Sequence, residues 1–241
     1  MKLYVVGFGC GSFGGMTEEA RQVMERSDLI VGYKVYTELV KQFFPNKEYF
    51  STGMRQEKDR VLYALEQAAN GRTVSLVCSG DSEVYGMAGL AYELSEKYPQ
   101  AEIQTVAGLT AALSGGALLG APLTHDFAVI SLSDLLTPSE KIALRLECAA
   151  QADFVIVLYN PSSKNRPDYL KKACEIILKH RSAETICGYA KNIGRNGEEC
   201  GIMTLSQLAG FQADMFTTVF IGSSRTKIIS GKMVTPRGYN V

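Results

Sequence analysis

Histidine is scarce in this chain, with His125 and His180 the only two. The six cysteines (Cys10, Cys78, Cys148, Cys174, Cys187, Cys200) include no Cys-x-x-Cys pair. Without either ligand pattern, no metal site is expected. No Ser-His-Asp or Cys-His arrangement is visible, so chemistry through a protein nucleophile is not expected either. Neither charge sign is in excess: Lys+Arg is 25, Asp+Glu is 25 and the formal net charge is +0. A nucleic-acid binder working through bulk charge is therefore excluded, and an anionic ligand must be met by local arginines or lysines. No apolar run reaches the ~18 residues of a membrane span. The chain opens at once on a strand and a glycine loop, so no secretory leader is expected. A cytoplasmic location follows, with the cysteines in apolar runs filling core in a reducing compartment.

What is present is a regular alternation. The 241 residues suffice for a full core, as one large domain or two small ones. Strands are expected at 3–6, 28–31, near 49–50, 73–77, 102–106, 127–131, 154–158, 184–189, 200–203 and 217–221, where short β-branched or apolar runs occur. Helices fall between most of them. Thr17 caps one that runs to Arg26, and Thr137-Pro138-Ser139-Glu140 and Thr204-Leu205-Ser206-Gln207 both read as capping boxes. This pattern is α/β. There is no internal repeat and no low-complexity linker. Two units of similar size are expected, 1–120 and 121–241, each a mostly parallel or mixed sheet flanked by helices. The tail after Gly222 reads as basic and turn-rich.

Ligands of open α/β sheets bind beyond the carboxyl ends of strands. Three loops at such ends stand out in the first half: Gly7-Phe8-Gly9-Cys10-Gly11, Ser79-Gly80-Asp81, and Ala107-Gly108-Leu109-Thr110-Ala111-Ala112. Asp81 could accept a ribose hydroxyl, a ligand ammonium or a proton, or simply cap the next helix. Gly9-x-Gly11-x-x-Gly14 formally fits the dinucleotide fingerprint. That fingerprint needs a helix opening inside the glycines and an acid after the second strand, whereas here Thr17 lies beyond the glycines and Gly32-Tyr33-Lys34 fills the acid's place. An NAD(P)-dependent oxidoreductase is thus a distant alternative. In the second half, Ser131-Leu132-Ser133-Asp134, Tyr159-Asn160-Pro161 with Arg166, and Lys191-Asn192-Ile193-Gly194-Arg195 each follow a strand.

The glycine loop, Ser79-Gly80-Asp81, Ala107 to Ala112 and Gly120-Ala121-Pro122-Leu123 resemble, in order and over essentially the whole chain, the tetrapyrrole methylases. Adding Ser51 to Glu57, Thr124 to Ala128, Ser131 to Pro138 and Tyr159 to Ser163 makes the chain similar to the branch that methylates ring carbon 17 of precorrin-3B or cobalt-factor III in cobalamin biosynthesis. The resemblance implies two α/β domains with the active site in the cleft between them. It implies S-adenosyl-L-methionine as methyl donor, leaving as S-adenosyl-L-homocysteine. It also implies a homodimer, a polycarboxylated tetrapyrrole substrate, and no nucleic-acid or membrane partner.

Carried over position by position, the cofactor contacts are Gly9, Cys10, Ser79, Gly80, Asp81, Val84, Thr110, Ala111, Asn160 and Asn192. Cys10 stands where the family often has Pro, Ser79 where it usually has Gly, and Asn160 where relatives often have Met. Lys34, Arg55, Ser133, Asp134, Arg166 and Arg195 are expected to meet the substrate. Ring contraction moves protons, for which Asp81, His125, Asp126, Asp134 and Tyr159 are unranked candidates. The alternatives are a tetrapyrrole methylase acting at another ring position and a non-catalytic sensor of the cofactor. Whether the substrate carries cobalt is not legible in the residues.

Overall fold

A computed structural model describes residues 2–163 and 166–239. The chain divides into two compact units, Met1–Ala111 and Ala112–Val241.

In the first unit the elements run β1 (Lys2–Gly7), α1 (Glu18–Arg26), β2 (Leu29–Tyr33), α2 (Lys34–Lys41), β3 (Glu48–Thr52), α3 (Glu57–Ala69), β4 (Val74–Cys78), α4 (Ala88–Ser95) and β5 (Glu102–Val106). The strands lie in the order β3-β2-β4-β1-β5, all parallel. A sheet covered by helices on both faces needs strands apolar on both faces, and β1 has them. Leu3 and Val5 pack with Leu65 of α3 and Ala91 of α4. Tyr4 and Val6 pack on the other face with Val23 of α1 and Val40 of α2. Thr17 caps α1 as expected: its Oγ1 accepts from the Ala20 N–H and donates to the Ala107 carbonyl. Because every strand is parallel, the loops after β1 to β5 emerge at one edge of the sheet.

The second unit contains α5 (Ala111–Leu119), which straddles the division, then β6 (Gly120–Ala121), β7 (Phe127–Ser131), α6 (Ser139–Gln151), β8 (Val155–Tyr159), α7 (Tyr169–Ile177), β9 (Ile186–Lys191), β10 (Glu199–Thr204), α8 (Leu205–Leu208), β11 (Thr217–Ile221), β12 (Lys227–Ile229) and β13 (Lys232–Val234). Its main sheet is mixed, in the order β10-β9-β11-β8-β7, with β7 and β8 parallel and the other pairs antiparallel. Ile156, Leu158, Val219 and Ile221 face a core closed by α6, α7 and α8. The division falls earlier than residue 120 because α5 packs on the second sheet: a Cβ on Gly115 would meet Ile193, Phe220 and Ala190 at 3.0–3.1 Å.

Two local expectations change. Thr137 does not cap α6; Pro138 is the N-cap, its carbonyl accepting from the Lys141 and Ile142 N–H groups, with no side-chain cap. The helix starts one residue later than the capping-box pattern implied. The Thr204 capping box does form, with Gln207 returning the bond. The tail is not only turns: β12 and β13 form a hairpin through Ser230 and Gly231, both at positive φ, the conformation of the tightest hairpin turns. β13 also pairs in parallel with β6. Among the described residues, no helix is long and apolar enough to cross a membrane.

Candidate functional site

Three loops of the first unit fold onto one another through their backbones. Gly9 and Gly80 exchange both main-chain hydrogen bonds, N–H to O distances being 2.9 and 2.7 Å. Both have φ near +70°, where a side chain strains the backbone. Gly7 and Gly108 leave no room: a Cβ on Gly7 would stand 2.8 Å from atoms of Gly80, Asp81 and Gly108. The helix that follows the first loop starts only at Glu18, after a 3-10 turn at Phe13–Gly15. No α-helix N-terminus opens among the glycines, which removes the structural basis for a dinucleotide pyrophosphate there.

Asp81 sits at the centre of this arrangement and is 8% exposed. Its Oδ1 accepts from the Glu83 and Val84 N–H groups at 2.9 and 3.0 Å, and its Oδ2 from Gly108 N–H at 2.9 Å. Burial works against the charge, but the N–H groups of Gly108, Val84, Glu83 and Ser82 outweigh it and hold the carboxyl below its ordinary value. Asp81 is thus an ionised clamp joining the loops after β4 and β5. Its neighbour Ser82, fully buried, donates to the Val106 carbonyl at 3.0 Å. Cys10 Sγ reaches the Leu109 carbonyl at 3.6 Å. Val84 and Leu109 remain partly exposed at 36% and 42%, and Tyr85 holds φ +57°, an uncommon value for a bulky residue.

A depressed carboxyl pKa stabilises the fold above the unfolded value and loses that contribution as pH falls through the folded value. Asp153 and Asp214 are lowered too. The urea midpoint of the wild type should therefore fall between pH 5 and pH 3. In Asp81→Asn the stability should already be lower at pH 7, by about 1–3 kcal/mol for an N–H left without an acceptor, and the midpoint should drop less on acidification. Parallel acid limbs would contradict the clamp.

Lys34 and Arg55 join the same edge. Arg55 is exposed at φ +65° in the loop after β3. Lys34 is the exposed first residue of α2, whose first turn contains no acid. A cation there opposes the helix dipole. The expected residues Gly9, Cys10, Ser79, Gly80, Asp81, Val84, Thr110 and Ala111 all fall in loops at this edge or at the start of α5.

In the second unit β7, β8 and β9 run the same way, so Ser133, Asp134, Tyr159, Asn160, Arg166, Asn192 and Arg195 share an edge. Asn160 (φ +53°) donates from Nδ2 to Ser131 Oγ at 2.9 Å, joining the loops after β7 and β8. Asn192 (φ +49°) donates from Nδ2 to the Gly197 carbonyl. Tyr159 Oη accepts from the Ala112 N–H at 2.8 Å, at the start of α5. Asp134 takes the Tyr169 hydroxyl on Oδ2 and faces Arg166 Nη2 at 2.9 Å on Oδ1, an ion pair without hydrogen-bond alignment. The bond to Asp134 pushes the Tyr169 phenol up from its ordinary value. Arg195 lies over the Phe216 ring at 5.9 Å.

His125 and Asp126 are not brought to this group. They precede β7 and lie at the opposite edge of the sheet, beside Asp153, Phe154, Ser223 and Arg225. The Asp126 N–H donates to His125 Nδ1 at 2.9 Å. The sequence places them in a polar loop but does not say at which end of a strand that loop lies. Tyr169 and Arg60 are polar residues at these edges that sequence reasoning passed over. Arg60 shares the buried stripe of Ala64 and Ala68 on α3, a four-residue spacing that could have exposed it.

The family model of the tetrapyrrole (corrin/porphyrin) methylases matches residues 2–209. The chain belongs to this family. A probable cobalt-factor III C(17)-methyltransferase of Methanocaldococcus jannaschii is 47% identical, with 98% of this chain and 97% of the relative covered. The cobalt-factor III methyltransferase of Priestia megaterium is 44% identical over 99% of this chain, which spans only 45% of that longer protein. Among solved structures, the methyltransferase CobJ superposes with a TM-score of 0.89 at 34% identity, covering 97% of this chain and 99% of the other. The chain is accordingly a tetrapyrrole methylase of α/β architecture.

Proposed function

We propose that this methylase transfers a methyl group from S-adenosyl-L-methionine to ring carbon 17 of cobalt-factor III or precorrin-3B, with contraction of the ring, in cobalamin biosynthesis. One observation supports this above the others. The loops after β1, β4 and β5 make a cradle of backbone, with glycine at each close approach, in a chain that aligns end to end with a relative named as a probable cobalt-factor III C(17)-methyltransferase. When bound, the donor supplies a methyl group already activated by its sulfonium charge.

The protein's part is to hold, orient and exclude water. Gly9, Cys10, Ser79, Gly80, Asp81, Val84, Thr110 and Ala111 of the first unit, with Asn160 and Asn192 of the second, are the proposed donor contacts. Asp81 acts within this set by fixing the loops, since both of its oxygens are occupied by backbone N–H groups. Lys34, Arg55, Ser133 and Arg195 are the proposed contacts to substrate carboxylates. Arg166 already faces Asp134 and meets the substrate only by sharing that charge.

Contraction needs a group that moves protons. Asp81 stays ionised, and Tyr159 has its oxygen committed to the start of α5. His125 and Asp126 lie at the far edge of the second sheet. Asp134 remains, with Tyr169 in direct contact; this pair is the proposed proton-handling group. The same reading makes the protein a cytoplasmic homodimer. Titration calorimetry with S-adenosyl-L-homocysteine and with NAD separates the methylase from an oxidoreductase: saturable binding of the first and none of the second is expected. Binding of NAD alone would overturn the proposal.

A further inference from the structure

Arg60 is 3% exposed, and its described hydrogen-bond partners are all neutral. Nε donates to Thr52 Oγ1 at 2.8 Å, Nη2 to the Gly53 carbonyl at 2.9 Å, and Nη1 to Met87 Sδ at 3.4 Å. The guanidinium carbon lies 5.8 Å from the centre of the Tyr33 ring. Burial lowers its pKa, opposed by the charge of Glu57, itself an exposed residue. A guanidinium buried without a carboxylate in hydrogen-bond contact is costly to a fold, and an apolar side chain would fill the space more cheaply.

The partners show what Arg60 accomplishes. Tyr33 ends β2, Thr52 ends β3, Gly53 opens the loop that follows, and Met87 closes the loop after β4. One side chain on α3 therefore ties together three successive segments at the carboxyl edge of the first sheet. Both peptide groups flanking Gly53 are held: its carbonyl by Arg60, and its N–H by Gln56 Oε1 at 2.7 Å. Between these two anchors stands Arg55, exposed and at φ +65°. A non-glycine residue in that region persists only where its surroundings impose it. Lys34 directly follows Tyr33, so the second cation of this edge leaves from another segment that Arg60 touches.

We infer that Arg60 is the positioning residue of the substrate-recognition edge, fixing the loop 52–56 so that Arg55 is presented to a carboxylate of the tetrapyrrole. The inference rests on the proposed function for the identity of the ligand, but not for the mechanics of the loop. Arg60 makes no contact with substrate in this account. It adds a fixed positive charge beneath two exposed ones and holds one of them in place.

Two experiments test it. The bond after Arg55 is a trypsin site, and limited proteolysis followed by mass spectrometry reads its exposure without any enzyme assay. Cleavage there should rise about tenfold in Arg60→Lys and in Thr52→Val, which removes one acceptor, while cleavage elsewhere is unchanged; tenfold corresponds to ~1.4 kcal/mol of loop opening. Arg60→Met should do the same if it folds, and the other two variants carry the test if it does not. Unchanged cleavage after Arg55 in both would overturn the inference. In steady-state kinetics, Arg60→Lys should raise KM for the tetrapyrrole and leave S-adenosyl-L-homocysteine affinity as it was. Adding Arg60→Lys to Arg55→Ala should then change KM little further; additive losses would contradict positioning through Arg55. A wild type that binds the donor but turns over no tetrapyrrole would count against the proposed function, and the proteolysis result would still decide the role of Arg60.

Discussion

Gly108→Ala is expected to weaken binding of the methyl donor strongly and to lower the thermal midpoint by about 10 °C, taking ~3 kcal/mol and 2–4 °C per kcal/mol for a chain of this size. The added Cβ would stand 2.2 Å from the Gly80 carbonyl oxygen and 2.4 Å from that of Gly7. Both are backbone atoms, one at the end of β1 and one in the loop after β4, so no side-chain rotation relieves the clash. The loop must back away, and the Gly108 N–H then leaves Asp81 Oδ2, the bond that joins the loops after β4 and β5. Donor affinity should fall by about 100-fold or more, as expected when several contacts worth ~1.4 kcal/mol per decade are displaced together. Gly14→Ala is the control: nothing lies within 4 Å of a Cβ there, and both readouts should stay near wild type. A Gly108→Ala protein with normal donor affinity would mean that the close approach of these loops is not what forms the site.

Arg181→Met should destabilise the second unit by about 3–5 kcal/mol, because several buried carbonyls lose a charged donor, each worth about 1–3 kcal/mol. The Arg181 side chain is 4% exposed. It donates to the carbonyls of Ala149 and Ala150 in the last turn of α6, of Phe154 before β8, and of Gly222 after β11. A helix end leaves its last carbonyls without intrahelical partners, and here one guanidinium serves two of them and joins two strands as well. The ion pair with Asp153, at 3.0 Å, is the lesser part, because that carboxylate is 43% exposed and solvent screens it. Asp153→Asn should accordingly cost under ~1 kcal/mol from the lost pair. Arg181→Lys should fall between, since an ammonium cannot span the same set of acceptors. Chemical denaturation of the three variants checks the order; equal losses for Asp153→Asn and Arg181→Met would place the stabilisation in the ion pair instead.

The parts of this fold that were legible in the sequence are those set by local chemistry. The strands 102–106, 127–131 and 217–221 have the bounds their apolar runs imply. Thr17 and Thr204 cap because a hydroxyl three residues from a free N–H suffices. The glycines at 7, 9, 80 and 108 were visible as candidates, although only the structure gives each its reason: positive φ at 9 and 80, close backbone contact at 7 and 108.

What the sequence withheld depends on which end of an element a residue occupies. His125 and Asp134 both flank β7 and look alike as polar loop residues, yet they lie at opposite edges. Arg60 and Arg181 read as ordinary charges on a helix and after one. Their burial follows from segments far along the chain, Met87 in one case and Gly222 in the other. Tyr169 gains its role only through Asp134, 35 positions away. No periodicity encodes such pairings. A capping pattern can also mislead when a proline intervenes, as at Thr137, because Pro138 takes the cap position itself.

The most direct test of the central claim is turnover of the purified protein with S-adenosyl-L-methionine carrying a 13C-labelled methyl group, on cobalt-factor III and on precorrin-3B in parallel, with the product mapped by NMR. The account predicts one labelled methyl on ring carbon 17 of a contracted macrocycle from at least one of the two substrates. Label at a different ring carbon, or intact donor after incubation with both, would contradict it.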